Sequence, residues 1–299
     1  MELINLQGEL FLLVAAGVLL RKLHIIPEAG KAVLTDLVIY LILPCNIVNS
    51  FRMEFNLTIL GKFLVILMIS VAIQFVCMIL NHILYNRQPD SKRKVLQYGT
   101  VCSNAGFMGN PIAEGVFGAE GLMYASIFLV PQRIVMWSAG VSYFTECPDR
   151  KSLIKKVATH PCIVAVYIGL VLLIGQIPLP AFLGDTIRAV GNCTTTISMV
   201  LIGTILAEVD PKSIFSPTVV FYAGIRLFMI PFLVFAGCHL LQIDPLLTGV
   251  SVLLAGMPAG STTAILAAKY DGDYIFATKC VVFTTVLSLV TIPLWCLVL

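Results

Sequence analysis

Apolar stretches of bilayer length follow one another along almost the whole chain, with only short polar connections between them. A membrane span needs about 20 apolar residues. Ten segments qualify: approximately 6–22, 32–51, 57–84, 95–117, 120–144, 160–177, 182–207, 214–241, 246–269 and 274–298. Hydrocarbon offers no hydrogen-bond partners, so each span must satisfy its own backbone, and the fold expected is all-α and integral to the membrane. Composition agrees, with 59% apolar and 12% charged residues and a mean hydropathy of +0.97. A soluble domain carries about twice that share of charge. A soluble protein with a very large core would also need polar outer faces, and most of these spans are apolar all round.

The net charge of +3 is small and comes from loop lysines and arginines. It bears on topology rather than on nucleic acid, which is not expected as a partner. Arg21, Lys22, Lys31, Arg87, Lys92, Arg93, Lys94, Arg150, Lys151, Lys155, Lys156, Lys212 and Lys269 fall in the loops after spans 1, 3, 5, 7 and 9. The other side holds little beyond Arg52 and Lys62. Basic loops stay cytoplasmic, so a multi-pass protein of the plasma membrane with both termini outside is expected. The opening residues lack the basic n-region of a signal peptide, and the first apolar run is expected to be retained as a span. Nine cysteines are scattered without a CxxC pair, which implies neither a disulfide framework nor a metal site.

Two of the spans contain helix breakers. NAGFMGNP (104–111) places Asn104, Gly106, Gly109, Asn110 and Pro111 in the fourth. AGMPAGST (255–262) places Gly256, Met257, Pro258, Gly260 and Ser261 in the ninth, with Thr262 and Thr263 following. Glycine permits non-helical dihedrals and proline removes a backbone donor, so each run can split its span into two half-helices. The N-terminus of a half-helix offers free N–H groups and partial positive charge, which suit a carboxylate. Gly and Pro also serve close packing or a kink in membrane helices, so one run alone would be ambiguous. Two at matching places in the two halves point to a solute site near the bilayer midplane.

Residues 1–150 and 151–299 resemble two copies of one five-span unit. Pro27 and Pro180 follow the first span of each half, and the turns GVFGAEG (115–121) and KYDGD (269–273) precede each fifth span. Because five is odd, the second copy is inverted. Span 7 holds GNCTTTIS (191–198), whose Asn192 and Thr195 either line a solute route or bond between helices. In span 2, Pro44 with Cys45 and Asn46 implies a kink. Ionisable residues within spans are few, each costing roughly 2.5–3.5 kcal/mol at the centre. Arg133 and Arg226 are the most central; they either attract an anion or satisfy carbonyls. Asp36 and Glu114 lie nearer span ends and are candidates for proton or cation coupling.

No carboxylate pair occupies a span centre, as a sodium/proton antiporter would require. Enzyme signatures are missing, the four histidines form no ligand cluster, and no cofactor is called for. NAGFMGNPIAEGVFG, LIGTILAE (201–208), HPCIVAVYIGLVL (160–172), LILPCNIVNSF (41–51) and AGMPAGSTTAILAAKYDGD together resemble the auxin efflux carrier family of permeases, in collinear order over nearly the whole chain. The short connection TECPDRKSLIKK (145–156) is similar to that of bacterial members. The resemblance implies ten spans as an inverted 5+5 repeat, with broken helices crossing in spans 4 and 9. It further implies a scaffold of spans 1, 2, 6 and 7 that forms a homodimer, and a transport domain of spans 3–5 and 8–10 that moves in elevator fashion. Its substrates are organic anions such as auxin, malate or malonate. The family's crossover asparagine would correspond to Asn104 and its prolines to Pro111 and Pro258, while the second crossover here lacks an Asn. The expected function is transport of small organic anions, driven by potential or as a secondary active carrier. The alternatives are a Na⁺- or H⁺-coupled symporter of dicarboxylates or bile-acid-like acids, and a non-transporting membrane sensor on the same scaffold.

Overall fold

The computed structural model describes residues 2–52, 57–136, 140, 142–144, 155, 158–207, 215–270 and 272–299. The connection between the halves lies largely outside them, as do Arg150, Lys151, Lys156, Lys212 and the side chain of Lys269. Among the described residues the secondary structure is helical, apart from one isolated antiparallel bridge between Ser103 and Ala259.

In chain order the helices are α1 (Glu2–Lys22), α2 (Glu28–Leu37), α3 (Leu43–Ser50), α4 (Leu57–Leu84), α5 (Asp90–Val101), α6 (Asn110–Val135) and α7 (Pro161–Gly175). They continue with α8 (Ala181–Gly191), α9 (Thr194–Leu206), α10 (Pro217–Gly224), α11 (Ile230–Leu240), α12 (Pro245–Ala255), α13 (Thr262–Lys269) and α14 (Tyr274–Val298). Among the described residues, six stretches are long and apolar enough to cross a membrane: Glu28–Ser50, Thr58–Leu84, Ala105–Val135, Ala181–Leu206, Pro217–Leu240 and Tyr274–Val298. Pro161–Gly175 and Pro245–Ala255 are apolar but shorter. One face of α4 shows Leu64, Met68, Phe75, Ile79 and Ile83 to the outside, an apolar stripe of the kind that lipid covers favourably.

Among the described residues, the π-helical turns Val38–Ile42, Ala105–Gly109 and Ile225–Met229 join α2 to α3, lead into α6, and join α10 to α11. Each ends two residues before a proline: Pro44, Pro111 and Pro231. Proline clashes with the carbonyl four residues back and cannot bond to it; widening the turn to i→i+5 relieves that clash while keeping the chain helical. The kink expected at Pro44 therefore takes the form of a wide turn ahead of it. α6 is two helices that meet at Gly118, whose φ of 68° and ψ of −163° only glycine adopts without strain, and this break falls where the sequence places the turn between the fourth and fifth spans.

The helices pack most closely in two groups, one of α1–α3 and α7–α9, the other of α4–α6 and α10–α14. In the first, α1 lies directly on α9. A Cβ on Gly17 would come within 2.1 Å of the Val200 carbonyl oxygen, and one on Gly203 within 2.1 Å of that of Val14. In the second, Asp244 caps α12 through the Leu246 and Leu247 N–H groups and pairs with Lys62 on α4 at 2.9 Å.

Candidate functional site

The two broken spans meet at their breaks. The Asn104 N–H donates to the Pro258 carbonyl (2.8 Å) and the Gly260 N–H to the Cys102 carbonyl (2.9 Å), flanking the Ser103–Ala259 bridge. Helix breakers thus become a two-residue antiparallel pairing in the middle of four half-helices. Each span supplies the hydrogen bonds that the other has lost, as backbone buried from water requires.

Side chains satisfy the outward-facing groups of this pairing. The Ser103 carbonyl accepts from Gln132 Nε2 (2.9 Å), and the Ser103 hydroxyl donates to Gln132 Oε1 (3.1 Å). The Ala259 N–H donates to the Thr284 hydroxyl oxygen (3.2 Å). The Met257 carbonyl accepts from Arg226 Nε at 3.0 Å, and the Thr100 carbonyl from an Arg226 Nη at 3.4 Å. Among the described residues the Ser103 N–H and the Ala259 carbonyl enter no hydrogen bond, leaving one donor and one acceptor uncommitted at the crossing.

Close approach explains the glycines. A Cβ on Gly109 would lie 2.6 Å from Leu254 Cδ2 and 3.2 Å from Met257 Cγ, and one on Gly260 would lie 3.2 Å from the Cys102 carbonyl oxygen. Asn104, Gly109, Asn110, Pro111, Met257, Pro258 and Gly260 are all buried. Gly106 and Ser261, at the first turns of the second half-helices, are only half-buried and form the approachable edge. Both side-chain polar atoms of Asn110 are buried without a partner. Buried amides almost always find partners, so Asn110 stands out as a group held ready for one.

The two central arginines occupy different ends of the half-helices. Arg133 is 8% exposed and reaches the N-terminal side: its Nη2 is 3.4 Å from where a Cβ on Gly106 would stand. Its charge there adds to the positive end of a half-helix dipole. Arg226 is 3% exposed and sits on the carbonyls of the opposite ends.

Other expected site residues lie away from the crossing. Asp36 is exposed on α2, Asn192 is exposed at the joint between α8 and α9, and Thr195 is half-buried on α9. Glu114 is half-buried and accepts from Asn46 Nδ2 at 2.8 Å, a bond that joins the two helix groups. Asn46 comes close to the polar stretch of span 7, its Cα lying 3.0 Å from where a Cβ on Gly191 would be. Gln132 and Thr284 were not singled out by sequence, and Asn46 was named there only with the kink at Pro44. Gln132 stands between Pro131 and Arg133 in an apolar run, and that isolation was its only signal.

Paired broken helices, buried arginines and lipid-facing apolar stripes define a multi-pass membrane protein with a polar crossing inside it. A profile of the membrane transport protein family matches residues 8–151 and 148–296. The chain belongs to that family, the one of the auxin efflux carriers, and the resemblance of its motifs is borne out. An uncharacterized transporter of Methanocaldococcus jannaschii is 24% identical over 298 residues, 95% of this chain and 94% of that protein. An uncharacterized transporter of Methanothermobacter thermautotrophicus is 28% identical over 199 residues, 66% of this chain and 65% of that protein. It is a family of transporters, not of enzymes.

Proposed function

We propose that this protein carries small carboxylate anions across the membrane, holding them at the crossing of its two broken spans. The observation that carries this reading is the position of Arg133 beside Gly106, at the N-terminal turn of a half-helix. A guanidinium and open helix N–H groups together favour a carboxylate over a cation. Asn104, Gly106, Asn110 and Ser261 supply the polar contacts, while Pro111, Pro258 and Gly109 keep the half-helices apart and close-packed.

The two packing groups support an elevator in which α4–α6 and α10–α14 move against α1–α3 and α7–α9. The Asn46–Glu114 bond would break and re-form at each stroke. The ten-span inverted repeat, the outward termini and a homodimer through the first group belong to the same proposal.

Purified protein in proteoliposomes tests it. Flux of malate, malonate, lactate, indole-acetate and taurocholate is compared between the unmodified protein and Asn104→Ala. Uptake of at least one small acid is expected, with Asn104→Ala reducing it to background while the protein still elutes as a single folded species. Undiminished transport by Asn104→Ala would remove the crossing as the site. Saturable binding of an acid without any flux would make the protein a sensor.

A further inference from the structure

Arg226 is a full charge in the middle of the molecule, and no carboxylate lies within ion-pair distance of it among the described residues. What it has are carbonyl oxygens: Met257, two residues beyond α12, and Thr100, in the last turn of α5. A helix C-terminus carries roughly half a negative charge. Two such ends converge on one guanidinium, and their sum matches its charge.

Beside the guanidinium lies a cavity of about 10 Å³, bordered by Gln74, Thr100, Ser103, Gln132 and Arg226. Gln74 is 5% exposed, and its Oε1 is buried without a hydrogen bond. Two helix-end carbonyls on the guanidinium, with the unbonded Gln74 oxygen bordering the cavity beside it, are the kind of oxygen donors that a hard monovalent cation takes. Arg226 reaches into it from α10–α11 through the wide turn that precedes Pro231, which sets the side chain at this depth.

We propose that Arg226 is a resident cation. It neutralises the two helix ends permanently, so the crossing takes up no alkali cation and anion transport is not coupled to sodium there. Removing the guanidinium turns the same oxygens into a site for a monovalent cation. The consequence for coupling rests on the crossing being the solute site, whereas the cation chemistry does not.

Thermal unfolding of the detergent-purified full chain tests this, with NaCl exchanged for choline chloride at constant ionic strength. The unmodified protein and Arg226→Lys are expected to melt at the same temperature in both salts. Arg226→Ala is expected to melt several degrees lower in choline and to recover saturably on titration with Na⁺ or methylguanidinium. A saturable Na⁺-specific stabilisation of the unmodified protein overturns the proposal, and that measurement stands even where Arg226→Ala does not fold. An Arg226→Ala protein that neither ion stabilises also overturns it. A protein that carries no carboxylate yet gives the expected melting pattern would refute the proposed function and leave the role of Arg226 standing.

Discussion

Gln132 holds Ser103 by both its carbonyl and its hydroxyl, so one amide fixes the unwound residue opposite Ala259. Gln132→Leu keeps the volume and removes both bonds, leaving buried polar groups unpaired at a cost of about 1–3 kcal/mol. The expected outcome is a lower unfolding temperature in detergent together with impaired transport. An unchanged melting curve would mean that water or another side chain replaces the amide. At this scale the sequence was legible where residues break a rule: Asn104, Gly109, Pro258 and Gly260 are costly in a membrane helix and therefore conspicuous. Gln132 and Thr284 break none. A single Gln or Thr fits any apolar run, and its partner is set by which helix crosses it. The two arginines looked alike in sequence for the same reason, and only the helix ends beside them tell them apart.

Among whole elements, the contact of α1 with α9 is governed by two glycines with no room to spare. Gly203→Leu must push the helices apart, because its Cβ alone would overlap the Val14 carbonyl. Overpacking costs typically about 1–3 kcal/mol, and here the obstacle is backbone that cannot rotate away. A large fall in unfolding temperature or in yield of monodisperse protein is expected for Gly203→Leu and for Gly17→Val. Gly61→Ala and Gly237→Ala, whose added Cβ would meet nothing within 4 Å, should leave both measurements unchanged. Equal behaviour of the two sets would show that the helices do not touch at these glycines. Spans and breaks were readable at this level because apolar length and helix breakers are local signals. The wide turns before Pro44, Pro111 and Pro231 were not, since proline announces a strained turn without saying how the helix absorbs it. The joint at Gly118 was readable only as a turn between two spans.

For the molecule as a whole, both buried arginines belong to the group that includes the two broken spans: Arg133 on α6 and Arg226 on the turn between α10 and α11. Sequence suggested such a division only through family resemblance, because which helices touch depends on distant packing and not on any one span. The charge carried per cycle follows from what else moves with the solute. A monovalent anion leaving an inside-negative compartment gains roughly 2.3 kcal/mol per 100 mV. With Arg226 as the fixed counter-charge, no sodium need accompany it, so the anion should distribute as a free monoanion does. In proteoliposomes clamped with a potassium gradient and valinomycin, the steady accumulation ratio of a carried monocarboxylate should change tenfold for about every 60 mV. Replacing sodium by choline on both sides should not alter that slope. A ratio that ignores the potential and follows a pH gradient would instead place a proton on the moving group. Glu114, bonded across the group boundary to Asn46, is the acid positioned to carry it. Glu114→Gln, which cannot take up or release a proton, would then restore the tenfold dependence on potential.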